Sequence, residues 1–429
     1  MEEKNRKETI DDEQPNGESI SRRRFMKKTT TTALAGAAGI SGLDCSGAGV
    51  KSGAPKKGIK YVTLGRTGLK VSQFLGDRMA DRKMYELALA AGVNYWHKFG
   101  QWVEPAPYDL FQKMDRDSFY CDTVVHTLDK DKAIEIFEGM LKKSGLSRID
   151  GFKVHSVYAQ PEDVKNKMGV IQAFEILKKQ GKTRFLMLSQ HNNVAPVFEA
   201  AIESDMFDLI QVPVNPLVPR KDAFSYKTDR PQQAQQDAFF NLIKKAHDKG
   251  IAVTAMKVFL YGKKNWDSVP DLKEKVSKYL PDDKSIARAL IRYSLSVPGV
   301  VAYGSMLYNF EELKENLEAI GGKLTLAEEK GIHQFAEAMD SGYCRMCGAC
   351  ERANPDGVAV SSILRFKGYY TGFNDPEQAR SLYAGLPAHA RVESAGDLEQ
   401  YEKACPYGLP VASLLRDAQR MLGWRGGRG

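Results

Sequence analysis

Four cysteines near the C-terminus have the side-chain type and the spacing of cluster ligands. Cys344, Cys347 and Cys350 follow one another at intervals of three residues, and Cys405 stands far downstream, directly before a proline. Three thiolates at this interval completed by a remote Cys-Pro are typical of a 4Fe-4S cluster. Tetrahedral zinc on four thiolates is the alternative. The third evenly spaced cysteine and the Cys-Pro end favour iron, so we predict one 4Fe-4S cluster on these four residues.

The N-terminal region carries a basic motif followed by an uncharged stretch. Residues 21–27 read SRRRFMK, and residues 29–42 are rich in threonine, alanine and glycine. This pattern is typical of a twin-arginine signal, with a disordered basic arm as the alternative. A cluster inserted in the cytoplasm crosses a membrane only inside a folded carrier, which the twin-arginine route accepts. We therefore expect the twin-arginine translocase as a partner and a periplasmic or membrane-associated protein.

Two cysteines lie outside the predicted cluster set. Cys45 comes just after the weakly apolar stretch, where a lipoprotein cysteine would stand, but it follows Leu43 and Asp44 rather than small uncharged residues. A lipid anchor at Cys45 is thus the less favoured reading, and a spare cysteine in or beside a removed leader is preferred. Cys121 lies in an apolar run and is expected to be a buried small side chain.

Length and charge bound the remaining possibilities. The chain has 429 residues and a formal net charge of +8, enough for a barrel of about 250 residues with an appendage. Part of the charge belongs to the leader and part to four arginines of the C-terminal tail. No basic patch interleaved with aromatic residues results, so nucleic acid is not expected as a partner.

Eight short apolar runs alternate along the chain with stretches of helical period. The runs are 71–75, 93–97, 119–125, 152–155, 184–189, 209–212, 252–256 and 300–304. The helical stretches include 81–91, 133–143, 170–180, 196–204, 241–248, 285–296 and 310–319. Strands that alternate with helices pair in parallel, and eight such units close into a barrel. The predicted fold class is α/β, a (β/α)8 TIM barrel with a small C-terminal helical iron-sulfur domain.

From residue 61 to about 320 the chain resembles the aldo/keto reductase family. Residues 63–72 resemble the hairpin that closes the barrel floor, 91–95 the entry to the second strand, and 179–184 the run into the fifth. Residues 312–317 resemble the last barrel helix. The segment from Cys344 to Cys405 resembles the ferredoxin-like extension found on one branch of this family, the branch with a twin-arginine leader. The resemblance therefore implies a barrel, an exported oxidoreductase activity and a 4Fe-4S extension.

The implied domain organisation has four parts. Residues 1–45 form the signal segment, 46–60 a linker, 61–322 the barrel and 323–429 the 4Fe-4S domain.

The family reduces carbonyls with a nicotinamide hydride and a tetrad of tyrosine, lysine, aspartate and histidine. His155 falls where the family has its histidine, whereas His97 replaces the aspartate, Trp102 stands near the tyrosine position and Thr123 replaces the lysine. A slip of one residue in register would promote Asp122 but would supply neither missing group. The resemblance therefore leaves His155 and His97 as the catalytic candidates.

Two lysines are further candidates at the carboxyl end of the barrel. Lys153 and His155 share one face of a strand because alternate residues point the same way. Lys257 directly follows the seventh predicted strand. For each residue the alternative is structural: a hydrogen-bonded histidine, or a lysine that reaches solvent.

The resemblance implies a dinucleotide site only in part. Ser189 and Gln211 fall where the family holds the nicotinamide amide, and Gly304 and Ser305 resemble the start of the phosphate-binding segment. Gln190 replaces the usual asparagine, and no arginine follows at the position of the 2'-phosphate. The resemblance thus implies NAD(P) binding at the nicotinamide end of the site but not at the 2'-phosphate.

Two functions remain open. The first is an exported iron-sulfur oxidoreductase that acts on a small carbonyl or sugar-like substrate and exchanges electrons with a redox partner protein. The second is a non-catalytic binding or electron-transfer protein on a degenerate aldo/keto reductase barrel. The missing tyrosine and lysine favour the second, and the resemblance favours the first.

Overall fold

The structure is a computed structural model that describes most of the chain after the predicted leader. The described residues are 59–101, 106–191, 194–217, 232–267, 269, 271–340 and 342–423, with the backbone alone for 232–238. The twin-arginine motif, Cys45 and Trp102 lie outside the described residues.

Eight parallel strands close into a barrel, as predicted. Around the barrel the order is β10-β3-β4-β5-β6-β7-β8-β9. These strands are β3 Phe74–Met79, β4 Tyr95–Trp96, β5 Tyr120–Val125, β6 Gly151–His155, β7 Phe185–Ser189, β8 Leu209–Pro213, β9 Ala252–Met256 and β10 Val300–Leu307. The sequential order and the parallel pairing are those of a TIM barrel.

A hairpin precedes the barrel and covers its floor. Strands β1 Tyr61–Thr63 and β2 Lys70–Ser72 pair antiparallel, and the apolar side chains of this segment pack into a core with residues from the amino ends of the barrel strands. The prediction of one strand over 71–75 was wrong. β2 ends at Ser72, whose hydroxyl donates to the Phe74 carbonyl oxygen at 2.6 Å, and β3 begins beyond this turn. The sequence did not indicate the turn between them, because both segments are buried and apolar and read as one continuous run.

Helices connect the strands and continue beyond the barrel. Those of the barrel are α1 Arg82–Ala91, α2 Tyr108–Gln112, α3 Lys130–Ser144, α4 Asp163–Asn166, α5 Gly169–Lys179, α6 Val194–Ser204, α7 Gln232–Asp248, α8 Lys264–Asp267, α9 Leu272–Ser277, α10 Asp283–Ser296 and α11 Phe310–Ala319. Those that follow are α12 Leu326–Met339, α13 Ala349–Arg352, α14 Val360–Gly372, α15 Pro376–Ala384, α16 Leu398–Lys403 and α17 Val411–Leu422. Short 3-10 helices lie at Gly65–Thr67, Arg116–Ser118, Ala388–Ala390 and Val392–Ser394. None of the described helices is both long and apolar enough to cross a membrane.

Helix α14 packs tightly against the loop that follows β9. A methyl group added at Gly372 would lie 1.7 Å from the carbonyl oxygen of Tyr261, and one at Gly368 would lie 2.4 Å from the Tyr261 ring. Only glycine permits this approach of two backbones. Arg78 of β3 also forms an ion pair with Asp375 at 3.2 Å, at the start of α15. The helices α14 and α15 therefore form a roof over the carboxyl end of the barrel.

Candidate functional site

A cavity of about 830 Å³ lies between the carboxyl ends of the barrel strands and the roof. Its walls include His155 at the end of β6 and Lys257 just after β9, and its roof includes Arg365, Tyr369 and Phe373. Ligand sites of barrel enzymes lie at this end of the fold. The roof adds side chains that the barrel alone does not possess.

Below the cavity, charged and polar side chains form a buried network, the inner network. His97 Nδ1 lies 2.5 Å from Asp122 Oδ2, and Lys153 Nζ lies 2.9 Å from Asp122 Oδ1. The Tyr95 hydroxyl donates to the same carboxylate at 2.9 Å, and the Gln211 amide lies 3.2 Å from His97 Nε2. These contacts fit a neutral His97 that donates from Nδ1 to Asp122 and accepts at Nε2 from Gln211.

The charges of this network compensate one another. Burial disfavours ionisation of Asp122, but the ammonium of Lys153 and the hydrogen bond from His97 outweigh burial and hold the pKa of the carboxyl well below its usual value. Burial, followed by the charge of Lys153, lowers the pKa of His97. The network is therefore a neutral His97 beside an Asp122–Lys153 ion pair.

Some of the residues predicted for this region belong to the network, and others do not. Asp122 points into the barrel, whereas Thr123 is buried with a hydroxyl that finds no hydrogen-bond partner in the described part of the chain. Lys153 does not reach solvent, because it is 2% exposed and pairs with Asp122. His97 is 1% exposed and is covered by Gly304, where an added methyl would lie 2.7 Å from its ring. The catalytic role predicted for His97 stays a prediction.

Three histidines meet at one wall of the cavity. The ring centroid of His155 lies 5.0 Å from that of His126 and 4.8 Å from that of His191. The Nδ1 atoms of His155 and His191 are buried and lack hydrogen-bond partners among the described residues. Burial lowers the pKa of His155 well below its ordinary value, and the charges of His126 and Arg365 add to this effect. His155 is thus a neutral imidazole at neutral pH.

Sequence reasoning identified one of these three histidines. The other two could have been predicted in the same way, because each is a histidine at the carboxyl end of a strand. His126 directly follows β5, and His191 lies two residues after β7. Within the described ranges, no group of three or more His, Cys, Asp or Glu is arranged to hold a metal ion.

Opposite the histidines, a tyrosine of the roof meets a lysine of the barrel. Lys257 Nζ donates to the Tyr369 hydroxyl oxygen at 2.8 Å, and Arg365 Nη1 lies 3.4 Å from the same atom. Burial opposes ionisation of Tyr369, but the charges of Lys257 and Arg365 outweigh it and lower its pKa to about 7. A phenol with this pKa exchanges protons near neutral pH. No sequence signal pointed to Tyr369, which is 112 residues from Lys257 along the chain.

The backbone is strained beside the cavity. Lys98, Ser156 and Lys257 have positive φ angles of 54°, 52° and 57°, and each closely follows a barrel strand. Positive φ is uncommon for residues other than glycine and clusters at functional sites. The Asn215 side chain donates to the Lys257 carbonyl oxygen at 3.1 Å, which holds this turn in place.

The residues predicted to bind a dinucleotide line the cavity, but the protein already occupies most of their polar groups. The Gln211 amide contacts His97 at 3.2 Å. The Gln190 amide donates to the Tyr158 carbonyl oxygen at 2.7 Å, and the Ser305 hydroxyl donates to the Met306 carbonyl oxygen at 3.0 Å. The Ser189 hydroxyl faces Met256 Sδ at 3.8 Å. A nicotinamide amide would have to replace these contacts to bind at this position, and NAD(P) binding stays a prediction.

The four predicted cluster cysteines lie in two segments that meet. Cys344 and Cys347 lie in the loop before α13, Cys350 is the second residue of that helix, and Cys405 follows α16. The Arg345 guanidinium lies 4.1 Å from the centroid of the Tyr407 ring, so the two segments touch. Left-handed backbone at Met346 and Gly348 turns the loop between the cysteines.

The cysteine thiols are close enough to influence one another. Burial raises the pKa of Cys350 to about 12, with further contributions from Glu351, Cys347 and Cys405. Burial also raises the pKa of Cys344 well above its ordinary value. Thiolates at such positions need a positive partner, and a set of four thiolates suits an iron-sulfur cluster. The donor set therefore fits the predicted group, while the thiols do not form a closed ligand shell in this structure.

The cysteine loop lies beside the Lys257 side of the cavity. The Tyr261 hydroxyl donates to the Cys344 carbonyl oxygen at 3.4 Å, and the rings of Tyr261 and Tyr343 are 4.7 Å apart. Asn215 bonds both to the Tyr343 hydroxyl, at 3.2 Å, and to the Lys257 carbonyl oxygen. Two aromatic rings and one amide thus connect the two regions.

Comparisons with known proteins find similarity in fold. No family model and no curated protein matches the chain. An aldo-keto reductase from Bacillus halodurans is similar in its apo form, with 18% identity, a TM-score of 0.48 and coverage of 67% of this chain and 99% of that chain. Its holo form has 19% identity, a TM-score of 0.47 and the same coverage. A protein of Pseudomonas aeruginosa assigned as an aldo-keto reductase has 16% identity and a TM-score of 0.44, and covers 60% of this chain and 93% of that chain.

At these values the similarity carries no argument about activity. The strand order of this chain by itself establishes an eight-stranded parallel barrel.

Proposed function

We propose that this protein is an exported iron-sulfur oxidoreductase that interconverts a carbonyl and an alcohol in the cavity under the roof. One observation carries the proposal: the Tyr369 hydroxyl lies 2.8 Å from Lys257 Nζ and faces the cavity. An ammonium group beside a tyrosine lowers the pKa of the phenol into the range that is useful for general acid catalysis. Here the roof helix supplies the tyrosine and the barrel supplies the lysine.

The proposed reaction balances with two electrons and two protons per carbonyl. A reduced redox partner protein supplies the electrons, the Tyr369 phenol donates one proton to the carbonyl oxygen, and water supplies the proton that reaches carbon. When bound to Cys344, Cys347, Cys350 and Cys405, a 4Fe-4S cluster would supply one-electron transfer. The neutral imidazole of His155 would hydrogen-bond the substrate oxygen and orient it.

Export belongs to the same proposal. The motif at residues 21–27 supports recognition by the twin-arginine translocase, because that route carries proteins that have already folded around a cofactor. The mature protein would then work in the periplasm or at a membrane surface.

A second function is supported by the inner network. His97, Asp122 and Lys153 satisfy one another. Among the described residues at the tetrad positions, only His155 lines the cavity. This favours an electron-transfer or binding protein that has kept the barrel and lost the reaction.

The test compares Tyr369→Phe with wild type, using protein purified anaerobically. Aldehydes, ketones and oxidised sugars would be offered with a reduced artificial electron donor. We expect a loss of about 10²- to 10⁴-fold in kcat for the variant, the usual effect of losing a general acid. Tyr370→Phe is the matched control, because that hydroxyl contacts Arg380 at 3.4 Å and lies away from Lys257.

Equal rates for Tyr369→Phe and wild type would refute the role of the phenol. If wild type reduces none of the carbonyls but still passes electrons to an acceptor protein, the electron-transfer function replaces the enzymatic one.

A further inference from the structure

Most cations around the cavity have carboxylate partners. Lys98 pairs with Asp77 at 2.9 Å and Arg78 with Asp375 at 3.2 Å. Lys153 pairs with Asp122 in the same way, and Lys263 pairs with Glu315. These groups are compensated by the protein and need no ligand.

Two cations converge without a carboxylate. In the described part of the chain, neither Lys257 nor Arg365 has an acidic side chain within ion-pair distance; both approach the Tyr369 hydroxyl instead. Arg365 is 7% exposed, and its Nε atom is buried without a hydrogen-bond partner among the described residues. A buried guanidinium with an unused donor is costly unless something else binds it. Its free donor therefore indicates a ligand.

The same cavity contains further unused polar atoms. The Nδ1 atoms of His155 and His191 lack partners within the described ranges, and both residues line the cavity with Arg365. The charge of Arg365 contributes to lowering the pKa of each histidine, so its field reaches this wall. The region therefore combines positive charge with polar atoms that have no hydrogen-bond partner among the described residues.

The amount of charge indicates the kind of ligand. Lys257 and Arg365 bring two positive charges, and an ionised Tyr369 brings one negative charge. Before a ligand binds, one positive charge therefore remains, so the cluster attracts an anion. The planar fork of a guanidinium also suits the two oxygens of a carboxylate.

We propose that the cavity binds the carboxylate of a small oxo or hydroxy acid between Arg365 and Lys257, beside the Tyr369 hydroxyl. This inference rests on the proposed function and names its substrate class. The class meant is that of the 2-oxo and 2-hydroxy acids, in which the carbonyl or alcohol carbon adjoins the carboxylate. The reacting oxygen would then lie near the phenol that exchanges the proton.

Binding would also change the protonation of Tyr369. The groups that face it are Arg365 on its own helix, Lys257 after β9, Lys98 after β4, and the phenols of Tyr261 and Tyr343. A bound carboxylate offsets the two cations that lower the pKa of Tyr369, so this pKa rises from about 7 and the phenolate takes up a proton. Tyr369 would thus be protonated, and able to act as a general acid, once the substrate is bound.

The test is calorimetric titration of anaerobically purified full-length protein with pyruvate, lactate and gluconate. Each acid is compared with its neutral primary amide. We expect the acids to bind about 10- to 100-fold more tightly than the amides, the effect of one charge-assisted hydrogen bond. Titration in buffers of different ionisation enthalpy should show proton uptake near pH 7, together with loss of tyrosinate absorbance.

Variants assign the site. Arg365→Gln and Lys257→Gln should each weaken binding of the acids by about 10- to 100-fold, and Arg365→Lys should restore part of it. Tyr369→Phe should keep binding but lose proton uptake. Lys264→Gln is the matched control, because Lys264 lines the same cavity but is exposed; its affinity should stay close to that of wild type.

The inference is wrong if none of the acids binds, if acids and amides bind equally, or if Arg365→Gln leaves affinity unchanged. Binding of inorganic phosphate in place of every carboxylate would overturn the choice of ligand. Binding without turnover in a parallel assay would keep the carboxylate site and reject the proposed reaction. Turnover of neutral carbonyls with no preference for acids would keep the proposed reaction and reject the carboxylate site.

Discussion

The two charged clusters at the carboxyl end of the barrel are built on opposite principles. In the inner network every charged group has a partner: Asp122 contacts His97 at 2.5 Å and Lys153 at 2.9 Å. In the roof cluster, formed by Lys257, Arg365 and Tyr369, two cations share one phenol. The Arg365 Nε atom has no hydrogen-bond partner in the part of the chain that the structure describes. A cluster that satisfies itself stabilises the fold, whereas a cluster left unsatisfied beside a cavity is available to a ligand.

The largest expected effect comes from breaking the inner network. Asp122→Asn leaves the Lys153 ammonium buried without its counter-charge, and we expect the free energy of unfolding to fall by about 3–5 kcal/mol. Denaturant titration of wild type and variant measures this difference. The control is Asp109→Asn, whose ion pair with Arg82 is half exposed and should contribute only about 0–1 kcal/mol. Equal effects of the two substitutions would show that the inner network is not a stabilising unit.

The next effect tests the position of the roof. In Gly372→Ala the new methyl meets the Tyr261 carbonyl oxygen, so α14 must shift and separate Tyr369 from Lys257 while the inner network stays intact. We expect a loss of about 1–3 kcal/mol in unfolding free energy, as for overpacking, and a rise in the pKa of Tyr369 seen by ultraviolet titration.

Gly139→Ala is its control. That glycine lies inside α3 with nothing within 4 Å of an added methyl, so the change should stabilise by about 0.5–1 kcal/mol. A Gly372→Ala protein that matches wild type in both measurements would contradict the close packing of the roof.

The ionisation of Tyr369 predicts how stability depends on pH. Its pKa is lowered from 10 to about 7 in the folded protein, so between these values the unfolded chain binds more protons. The contribution of Tyr369 to stability therefore rises with pH, by up to about 1.4 kcal/mol per pH unit. It is complete above the unfolded value and is lost as the pH falls through about 7. The measurement is the difference in unfolding free energy between wild type and Tyr369→Phe at several pH values from neutral to alkaline; a constant difference would exclude an ionised Tyr369.

The smallest effect concerns an unpaired cation. Lys257→Met keeps the apolar stem and removes a charge that has no carboxylate partner in the described residues. We expect unfolding free energy to stay the same or to rise by about 0.5–2 kcal/mol at pH 6, where Tyr369 is mostly protonated, while activity falls. Thermal unfolding and turnover of the same preparation test this. A marked loss of stability would show that Lys257, like Asp122, stabilises the fold, which would contradict this prediction.

The linear sequence predicted the barrel because its signals are local. The run at 252–256 and the helix at 310–319 have the observed bounds, since apolar periodicity and strand length depend on neighbouring residues alone. The placement of His155 and Lys153 on the inner face followed from strand alternation. The boundary between the floor hairpin and the first barrel strand was the exception, because the adjacent strands β2 and β3 are both apolar and only one turn separates them.

The spacing of the cysteines and the motif at 21–27 are likewise sequence signals, and the cluster and the export route remain predictions. Tertiary structure alone decided which side chains meet in the cavity. Asp122 belongs to the network because β5 turns that residue, and not Thr123, towards the barrel axis.

Tyr369 faces Lys257 because Gly368 and Gly372 let α14 approach the loop after β9. Residues this far apart along the chain come together through close packing, and no local pattern of residue types records such a contact.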